Sequence, residues 1–253
     1  MAAPISRETA MKVTIAYIEE PPFGWTEADN RATGADIDLA EVVLRAIGVT
    51  RIEHRLTTFS ELLAGVEAGR WDMNVPLFVT PERANLVAFS VPVWAIGDGF
   101  LVRAGNPKAL TSYASLAKRG DARLGIIAGQ VQRDSARASG VSEDQIAIFE
   151  HQADAIEAVR SGAIDAYAST ALGNRILVDR IGSSMLEAVE HKSEANREQQ
   201  ERPFGAFSFN RGNSDLLNAV NAQLRSYLGS SAHRARAAKF GLTCNEIDPV
   251  LAR

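Results

Sequence analysis

The chain has 253 residues, of which 46% are hydrophobic and 23% are charged, and its formal net charge is −4. This length supports a well-buried core in one large domain or two smaller ones, and the lack of a basic stripe argues against a nucleic-acid partner. The apolar runs are too short and too interrupted to span a bilayer. The single cysteine, Cys244, lies in a predicted C-terminal tail, so an internal disulfide is excluded.

Taken in chain order, short apolar runs alternate with helical patterns, as they do in α/β proteins. The predicted order is strand 12–18, helix 36–47, helix 59–69, strand 72–78, strand 123–128, helix 131–139, strand 145–149, helix 153–160, strand 164–169, helix 171–181, strand 204–209, helix 216–228 and helix 232–241. Three of these helices end at a glycine, a typical stop: Gly48, Gly69 and Gly162. The alternation predicts two α/β units.

The second helix carries a local start signal. Thr58 and Glu61 have the Thr-x-x-Glu spacing of a capping box, in which each side chain bonds the backbone N–H at the other position. This spacing predicts that Phe59 lies in the first helical turn. Much later in the chain, residues 192–202 are polar and charged, which favours an exposed connection.

Several segments, always in the same order, carry a resemblance to a known family. They are PPFGW (21–25), TGADIDLAEVVLRAIGV (33–49), FSELLAGVEAGRWDM (59–73), TPERANLVAFSVPVW (80–94), LGIIAGQVQ (124–132), SGAIDAYASTA (161–171) and PFGAFSFNRGNSDLLNAVNAQL (203–224). Together they resemble extracellular solute-binding protein family 3, the substrate-binding proteins of polar amino-acid and ectoine-type ABC transporters. The resemblance implies an α/β, two-lobe periplasmic-binding-protein-like fold of type II, with two hinge strands and a ligand cleft between the lobes. It also implies a discontinuous lobe one, residues 11–100 and 202–253, and an inserted lobe two, residues 101–201.

Arg83 matches the arginine with which this family holds a ligand carboxylate. Its planar guanidinium suits two parallel hydrogen bonds to a carboxylate, although an exposed arginine at a helix start is the alternative. Two positions depart from the amino-acid-binding pattern. Phe78 stands in place of a small hydroxyl residue, and Thr170 stands where the family often has an aspartate for the ligand ammonium. Both departures remove polar partners of a plain α-amino acid.

The departures follow the ectoine-binding members of the family. Glu20, Phe23, Phe59, Phe78 and Arg83 fall where those members carry an acid, three aromatic residues and an arginine. Three aromatic faces suit a diffuse, weakly hydrated cation. In this interpretation Glu20 pairs with the ring N–H groups of the ligand and Arg83 with its carboxylate. The alternatives are ordinary core packing for the phenylalanines and a loop acid for Glu20.

The resemblance implies two further ligand-binding residues, Gln130 and Thr170, both from lobe two. The turn at residues 128–130 reads Ala-Gly-Gln, where the family places a Ser-Gly-Thr turn whose N–H groups and hydroxyl meet the carboxylate. The amide of Gln130 would replace that hydroxyl, and helix capping is its alternative role. For Trp94, near the crossing to lobe two, the predicted role is hinge packing, and a place in the wall of the cleft is its alternative.

The function implied is that of a non-catalytic solute-binding protein of an ABC uptake transporter. It would bind a small zwitterionic carboxylate, either ectoine-like or another cyclic or N-substituted amino acid, by closure of the lobes. One alternative is an enzyme on the same fold, similar to cyclohexadienyl dehydratases, with Glu20 as its acid. Others are a binder of a standard polar amino acid and a sensory binding domain.

The expected partners are the small zwitterion and a transporter permease, and we expect a monomer. The four histidines show no metal-ligand spacing, so neither a metal site nor a cofactor is predicted. The family resemblance implies a periplasmic or extracellular location. The first residues, MAAPISRETAMKV, lack the long apolar core of a secretion signal, which leaves a cytoplasmic location open.

Overall fold

The computed structural model describes residues 11–182, 184–191 and 202–251. Except for Arg202, the exposed connection predicted at 192–202 lies outside these ranges. Within them, no helix is both long enough and apolar enough to cross a membrane. Likewise, no group of three or more potential metal ligands occurs among the described residues.

The elements before the first crossing are β1 (Lys12–Tyr17), β2 (Trp25–Thr26), β3 (Ala32–Thr33), α1 (Ala35–Ala46), β4 (Arg51–Leu56), α2 (Phe59–Glu67), β5 (Met73–Phe78), α3 (Pro81–Ala84), β6 (Ala88–Phe89) and β7 (Trp94–Ala95). The middle of the chain forms β8 (Asp98–Arg103), α4 (Tyr113–Ala117), β9 (Leu124–Ile127), α5 (Gln132–Ala138), β10 (Ile146–Phe149), α6 (Gln152–Ser161), β11 (Ala166–Thr170), α7 (Ala171–Ile181) and β12 (Leu186–Glu190). The chain ends with β13 (Phe204–Phe209), α8 (Ser214–Tyr227), α9 (Ser231–Ala238) and α10 (Cys244–Leu251).

The strands form two main sheets. The first has the order β4-β1-β5-β13-β6, with β7 also pairing with β13, and the second has the order β10-β9-β11-β8-β12. In the first sheet β1 runs parallel to β4 and β5, whereas β13 is antiparallel to β5. Because β13 comes from the end of the chain, the first sheet is built from two separate segments, with all strands of the second sheet between them.

We propose that these two sheets, each with its helices, are the two lobes predicted from the sequence. Lobe one then comprises residues 11–100 and 202–253, and lobe two comprises residues 101–201. One adjustment follows from the strands: β8, which begins at Asp98, belongs wholly to the second sheet. We therefore propose that the first crossing lies between Ala95 and Asp98, and we use "lobe one" and "lobe two" in this sense.

The central strands have mostly apolar sequences. Every residue of β5 is buried in the centre of the first sheet, as the sequence MNVPLF favours. Helix α1 buries Ile37, Ala40 and Leu44 on one face and packs against α8. The helix ends before Gly48, which has a positive φ of 89° that glycine adopts without strain.

Two local predictions are wrong. Phe59 does begin α2 and Thr58 is its N-cap, but the Thr58 side chain makes no capping hydrogen bond. Its hydroxyl contacts the Ser60 hydroxyl at 3.1 Å, and Glu61 pairs with Arg70 instead of returning to the N-cap, because a charged partner is available. The predicted C-terminal tail is also wrong, since Cys244 is the first residue of helix α10.

Candidate functional site

A pocket lies between the two lobes, where the loop after β1, the start of α2 and the end of β5 face the turn after β9. Six of the seven predicted site residues line it: Glu20, Phe23, Phe59, Phe78, Gln130 and Thr170. Its volume is about 40 Å³. We call it the inner pocket. Arg83, the seventh predicted residue, lies beside its wall, on the backbone of Phe78.

Glu20 connects the two lobes across the inner pocket. The amide nitrogen of Gln130 donates to its carboxylate at 3.1 Å, and the hydroxyl of Ser169 donates to the same oxygen at 3.3 Å. Although part of the residue is accessible to solvent, protein atoms surround the carboxylate, and this burial raises the pKa of Glu20 to about 7 against the opposing effect of the two hydrogen bonds. Glu20 can therefore change charge near neutral pH.

The three phenylalanines lie on different sides of the pocket. The rings of Phe23 and Phe78 pack on Trp94, with centroid distances of 5.6 and 5.3 Å. Phe59 instead lies beneath the guanidinium of Arg83, at 5.3 Å from the ring centroid. Phe23 and Phe78 belong to the lobe-one core and also line the pocket. Core packing is therefore not an alternative that removes them from the candidate site.

Arg83 also connects the lobes. The short helix α3 holds it, because the Thr80 hydroxyl oxygen accepts the backbone N–H of Arg83 at 3.2 Å. Its guanidinium donates to the carbonyl of Phe78 at 2.9 Å in lobe one and to the carbonyl of Gly129 at 3.0 Å in lobe two. Burial lowers the pKa of Arg83 to about 10, which leaves it charged at neutral pH. Because only 6% of Arg83 is exposed, the alternative of a surface arginine is wrong.

The two predicted lobe-two residues have different roles. Gln130 does not cap α5, whose N-cap is Val131, but donates to Glu20. The side-chain oxygen of Gln130 is buried and has no hydrogen-bond partner among the described residues. Thr170 does cap a helix: its hydroxyl oxygen accepts the N–H of Gly173 at 3.0 Å at the start of α7.

Sequence reasoning missed a second acid in the pocket wall, Asp36. It lies in the first turn of α1, is 2% exposed, and accepts the indole N–H of Trp94 at 3.0 Å. Burial, together with the nearby charge of Glu20, holds the pKa of Asp36 well above its usual range. An acid in the first helical turn is a common partner of the helix dipole, so the sequence pattern gave no reason to place it in a site. Trp94 lines the pocket and also packs where the chain returns to lobe one, because a Cβ on Gly205 would lie 2.2 Å from its ring.

Beyond Glu20, Phe59 and Gln130 the cleft widens toward solvent into a space of about 630 Å³, which we call the outer compartment. The two spaces share these three residues and Ile18 in their walls. Acids, aromatic faces and one buried arginine therefore converge where the lobes meet. This arrangement suits binding of a small charged molecule by desolvation and ion pairing.

The chain is similar in sequence and in fold to known proteins. A sequence model of the bacterial extracellular solute-binding proteins, family 3, matches residues 13–242. The chain is similar to a Sinorhizobium fredii protein, "Probable amino-acid ABC transporter periplasmic-binding protein y4tE", with 34% identity over 215 residues, which is 84% of this chain and 71% of that protein.

Two solved structures have a similar fold. EhuB in complex with hydroxyectoine has a TM-score of 0.85 and 25% identity, over 96% of this chain and 91% of that chain. An ancestral amino acid-binding protein, AncCDT-1, described as a precursor of cyclohexadienyl dehydratase, has a TM-score of 0.77 over 90% of this chain and 95% of that chain, and its 24% identity shows the fold alone. These similarities confirm the predicted two-lobe fold of type II.

Proposed function

We propose a ligand and a working cycle for this chain, which belongs to the bacterial extracellular solute-binding proteins, family 3, and is a solute-binding protein of the amino-acid ABC transporter type. The proposed ligand is a small zwitterionic carboxylate with a delocalised cation, either ectoine-like or another cyclic or N-substituted amino acid. The observation that carries this proposal is the presence of Glu20, Phe23, Phe59 and Phe78 in the wall of one pocket between the lobes.

The chemistry of these residues supports such a ligand. An aromatic face attracts a weakly hydrated cation by about 0.5–2 kcal/mol, and the attraction increases when water is excluded. The carboxylate of Glu20 offers a hydrogen-bonded charge to ring N–H groups, and Arg83 offers a guanidinium to the ligand carboxylate. A primary ammonium finds fewer partners, because Phe78 and Thr170 stand where the family resemblance implies a small hydroxyl residue and an aspartate.

Binding requires the lobes to move. The inner pocket, at about 40 Å³, has room for only about three water molecules, less than an amino acid needs. We propose that the lobes separate to admit the ligand, which then replaces three interlobe hydrogen bonds. These are the bonds of Glu20 to Gln130 and Ser169 and the bond of Arg83 to the Gly129 carbonyl. Closure around the ligand would present one defined shape to a permease.

A ligand screen tests this function directly. Ectoine, hydroxyectoine and cyclic N-substituted amino acids are compared with glutamine, histidine and lysine by thermal shift and calorimetry. A ligand at a hundred times its dissociation constant adds about 2.7 kcal/mol to the free energy of unfolding. We expect the cyclic zwitterions to stabilise the protein more than the three standard amino acids do. Tighter binding of a standard amino acid would replace the proposed ligand with that alternative.

A second function has one observation in its favour. Glu20 and Asp36 are two acids in one apolar pocket, and burial raises the pKa of both. A protonated carboxyl group at neutral pH is what an elimination reaction on a cyclic acid needs as its general acid. Incubation with cyclohexadienyl acids, followed by chromatography, separates the two functions, because a binding protein returns the compound unchanged.

We further propose that the protein acts as a monomer in the periplasm or outside the cell, together with a membrane permease. The family description and the name of the Sinorhizobium fredii relative support this location and this partner. Size-exclusion chromatography with light scattering tests the oligomeric state. Co-purification with the permease, with and without ligand, tests the partner.

A further inference from the structure

Helix α7 packs on β8, β11 and β12 of the second sheet and so belongs to lobe two, yet one of its faces lies against lobe one. We propose that this face is a clasp, which holds the lobes together without help from the ligand and sets how easily the cleft opens. The clasp consists of Leu172, Ile176 and Arg180 of α7, and Arg180 stacks on Trp25 of lobe one. The inference rests on the lobe closure of the proposed function, but not on the identity of the ligand.

The apolar part of the clasp packs into lobe one. Leu172, Ile176 and Arg180 follow one another at intervals of four residues, a spacing that places their side chains on one face of the helix. Leu172 is 2% exposed and belongs to the apolar core of lobe one, and Ile176 packs against the same core. The contact at Ile176 is close, because a Cβ on Gly241 of lobe one would lie 2.4 Å from its Cδ1 atom. The packing of lobe one therefore includes this helix face.

Arg180 forms the charged end of the clasp. Its guanidinium carbon lies 4.5 Å from the ring centroid of Trp25, which is a cation–π distance. The guanidinium has no ion pair and no hydrogen bond within the described part of the chain, so no carboxylate competes with the ring for its charge. Lobe one holds the ring in place, because the indole N–H donates to Glu27 at 2.9 Å and Phe240 packs on the ring at a centroid distance of 6.0 Å. Trp25 is therefore a fixed aromatic face for a cation from the other lobe.

The clasp is separate from the ligand site. Trp25, Ile176 and Arg180 line neither the inner pocket nor the outer compartment. Separation of the lobes would break the contact of Arg180 with Trp25, because the two residues belong to different lobes. A cation–π contact at an exposed site favours the closed form by about two- to fivefold. A ligand shifts the equilibrium only by its different affinities for the two forms, so the clasp reduces the shift that the ligand must provide.

The test measures the lobe equilibrium of Arg180→Ala and of the parent protein without any ligand. Pulsed electron paramagnetic resonance between spin labels at Glu67→Cys in lobe one and Asp154→Cys in lobe two, both exposed positions, gives the open and closed fractions when both are populated. When the open form is rare, the rate at which a thiol reagent modifies Val131→Cys follows its population, because Val131 packs between the lobes. Cys244 is replaced by serine in all these proteins, because it is exposed.

We expect Arg180→Ala to shift the equilibrium toward the open form by about two- to fivefold. The matched control is Arg160→Ala. Arg160 also lies in the last turn of a lobe-two helix, but it pairs with Glu157 of the same helix and should leave the equilibrium unchanged. The same equilibrium in Arg180→Ala and in the parent protein would overturn the proposal, because α7 would then stay with lobe one when the cleft opens.

A second variant identifies the partner of Arg180. In a Trp25→Ala background, Arg180→Ala should cause no further shift, because the ring that it contacts is already absent. A further shift of the full size would contradict the clasp, since Arg180 would then act through another contact.

Release of ectoine shows the effect of the clasp on function. A bound ligand leaves only after the lobes open, so Arg180→Ala should increase the dissociation rate of ectoine in stopped-flow measurements by about two- to fivefold. An unchanged dissociation rate would contradict the clasp. If ectoine does not bind at all, the proposed ligand is wrong, while the two ligand-free measurements still decide whether the clasp exists.

Discussion

The two faces of the inner pocket are built differently. Lobe one faces it with large and charged side chains, namely Glu20, Phe23, Phe59, Phe78 and Arg83. Lobe two faces it with small or neutral groups, namely the carbonyl of Gly129, the amide of Gln130 and the hydroxyls of Ser169 and Thr170. Each of these three hydrogen bonds joins a charged lobe-one side chain to a neutral lobe-two group at the inner pocket.

This difference suggests that the two lobes contribute differently to ligand binding. Charged and aromatic groups determine which ligand is preferred, because they contribute several kilocalories per mole when desolvated. Neutral donors and acceptors cost little to bury and release, so the face that carries them can close and open repeatedly. We therefore expect substitutions in lobe one to change ligand affinity strongly and substitutions in lobe two to change it weakly. The following predictions test that contrast, starting with the largest effect.

Replacement of Arg83 should have the largest effect. Arg83→Ala removes the proposed carboxylate partner and the donor to the Gly129 carbonyl, so we expect ectoine binding to fall below detection, a loss of at least about 3 kcal/mol. Arg83→Lys should also bind poorly, because an ammonium cannot form the paired geometry of a guanidinium. Calorimetry measures both variants, after circular dichroism has established that they are folded.

Arg211→Ala is the matched control for this loss. Arg211 is also in lobe one and donates to the carbonyl of Ala84, but it lies outside the wall of either space. It should bind ectoine like the parent protein. Near-normal affinity in Arg83→Ala would show that Arg83 is not part of the site. The main difference in charge between the two lobes would then have no role in binding.

The aromatic wall should have the next largest effect. Phe78→Ala should weaken ectoine binding by about 1–3 kcal/mol through lost apolar burial and lost cation–π attraction. Phe89 is a suitable control, because it is a half-buried phenylalanine of lobe one outside the pocket. Phe89→Ala should lower the free energy of unfolding without changing affinity. If Phe78→Ser improves binding of a standard amino acid that the parent already prefers, the aromatic cage is wrong.

Glu20 should make binding depend on pH. Its pKa is raised from 4.5 to about 7 in the folded protein, so the folded state keeps a proton that the unfolded chain loses between these values. Glu20 should therefore contribute fully to the free energy of unfolding of the ligand-free protein below pH 4.5. This contribution should be lost as the pH rises to about 7. A bound cation favours the carboxylate, so affinity for ectoine should rise with pH by at most about tenfold per unit below 7.

Glu20→Gln isolates this effect from other titrations. Asp36 faces Glu20, and its pKa lies well above the usual range, so some pH dependence can come from that residue. Calorimetry from pH 5.5 to 8 should show a rising affinity in the parent protein and a flatter, weaker profile in the variant. The same slope in both proteins would assign the pH dependence to Asp36 instead.

The sequence predicted the parts of the fold whose signals are local and strong. The strand Phe204–Phe209 and the helix Ala171–Ile181 have the predicted bounds, because one is a short run rich in phenylalanine and the other lies between Thr170 and Gly182. The edge strands β4 and β12 were missed because neither is a continuous apolar run: RIEHRL contains three charged residues and a histidine, and LEAVE contains two glutamates. Helix α10 was missed because it contains Pro249, normally a helix breaker.

The candidate site, like the fold, was predicted only where the signal in the sequence is local. The lobe-one residues were recognised because their side chains carry the chemistry and keep family spacing. The Gly129 carbonyl, which accepts from Arg83, is a backbone group and leaves no signature in the sequence. Asp36 was recognised only as part of a helix start, because nothing local shows that it faces a pocket. Contacts of this kind depend on how two lobes meet, so they became visible only in the folded structure.

Thr170 should have the smallest effect and is the strictest test of the contrast between the lobes. Its hydroxyl oxygen accepts the N–H of Gly173, so Thr170→Ala should lower the free energy of unfolding by about 1 kcal/mol through loss of this cap. Affinity for ectoine should change by less than about threefold, because the hydroxyl oxygen already serves the helix. Thr170→Ser keeps the cap and should match the parent protein in both measurements. If Thr170→Ala instead weakened binding more than about tenfold at unchanged stability, the hydroxyl would contact the ligand directly. Lobe two would then select the ligand through its side chains, as lobe one does.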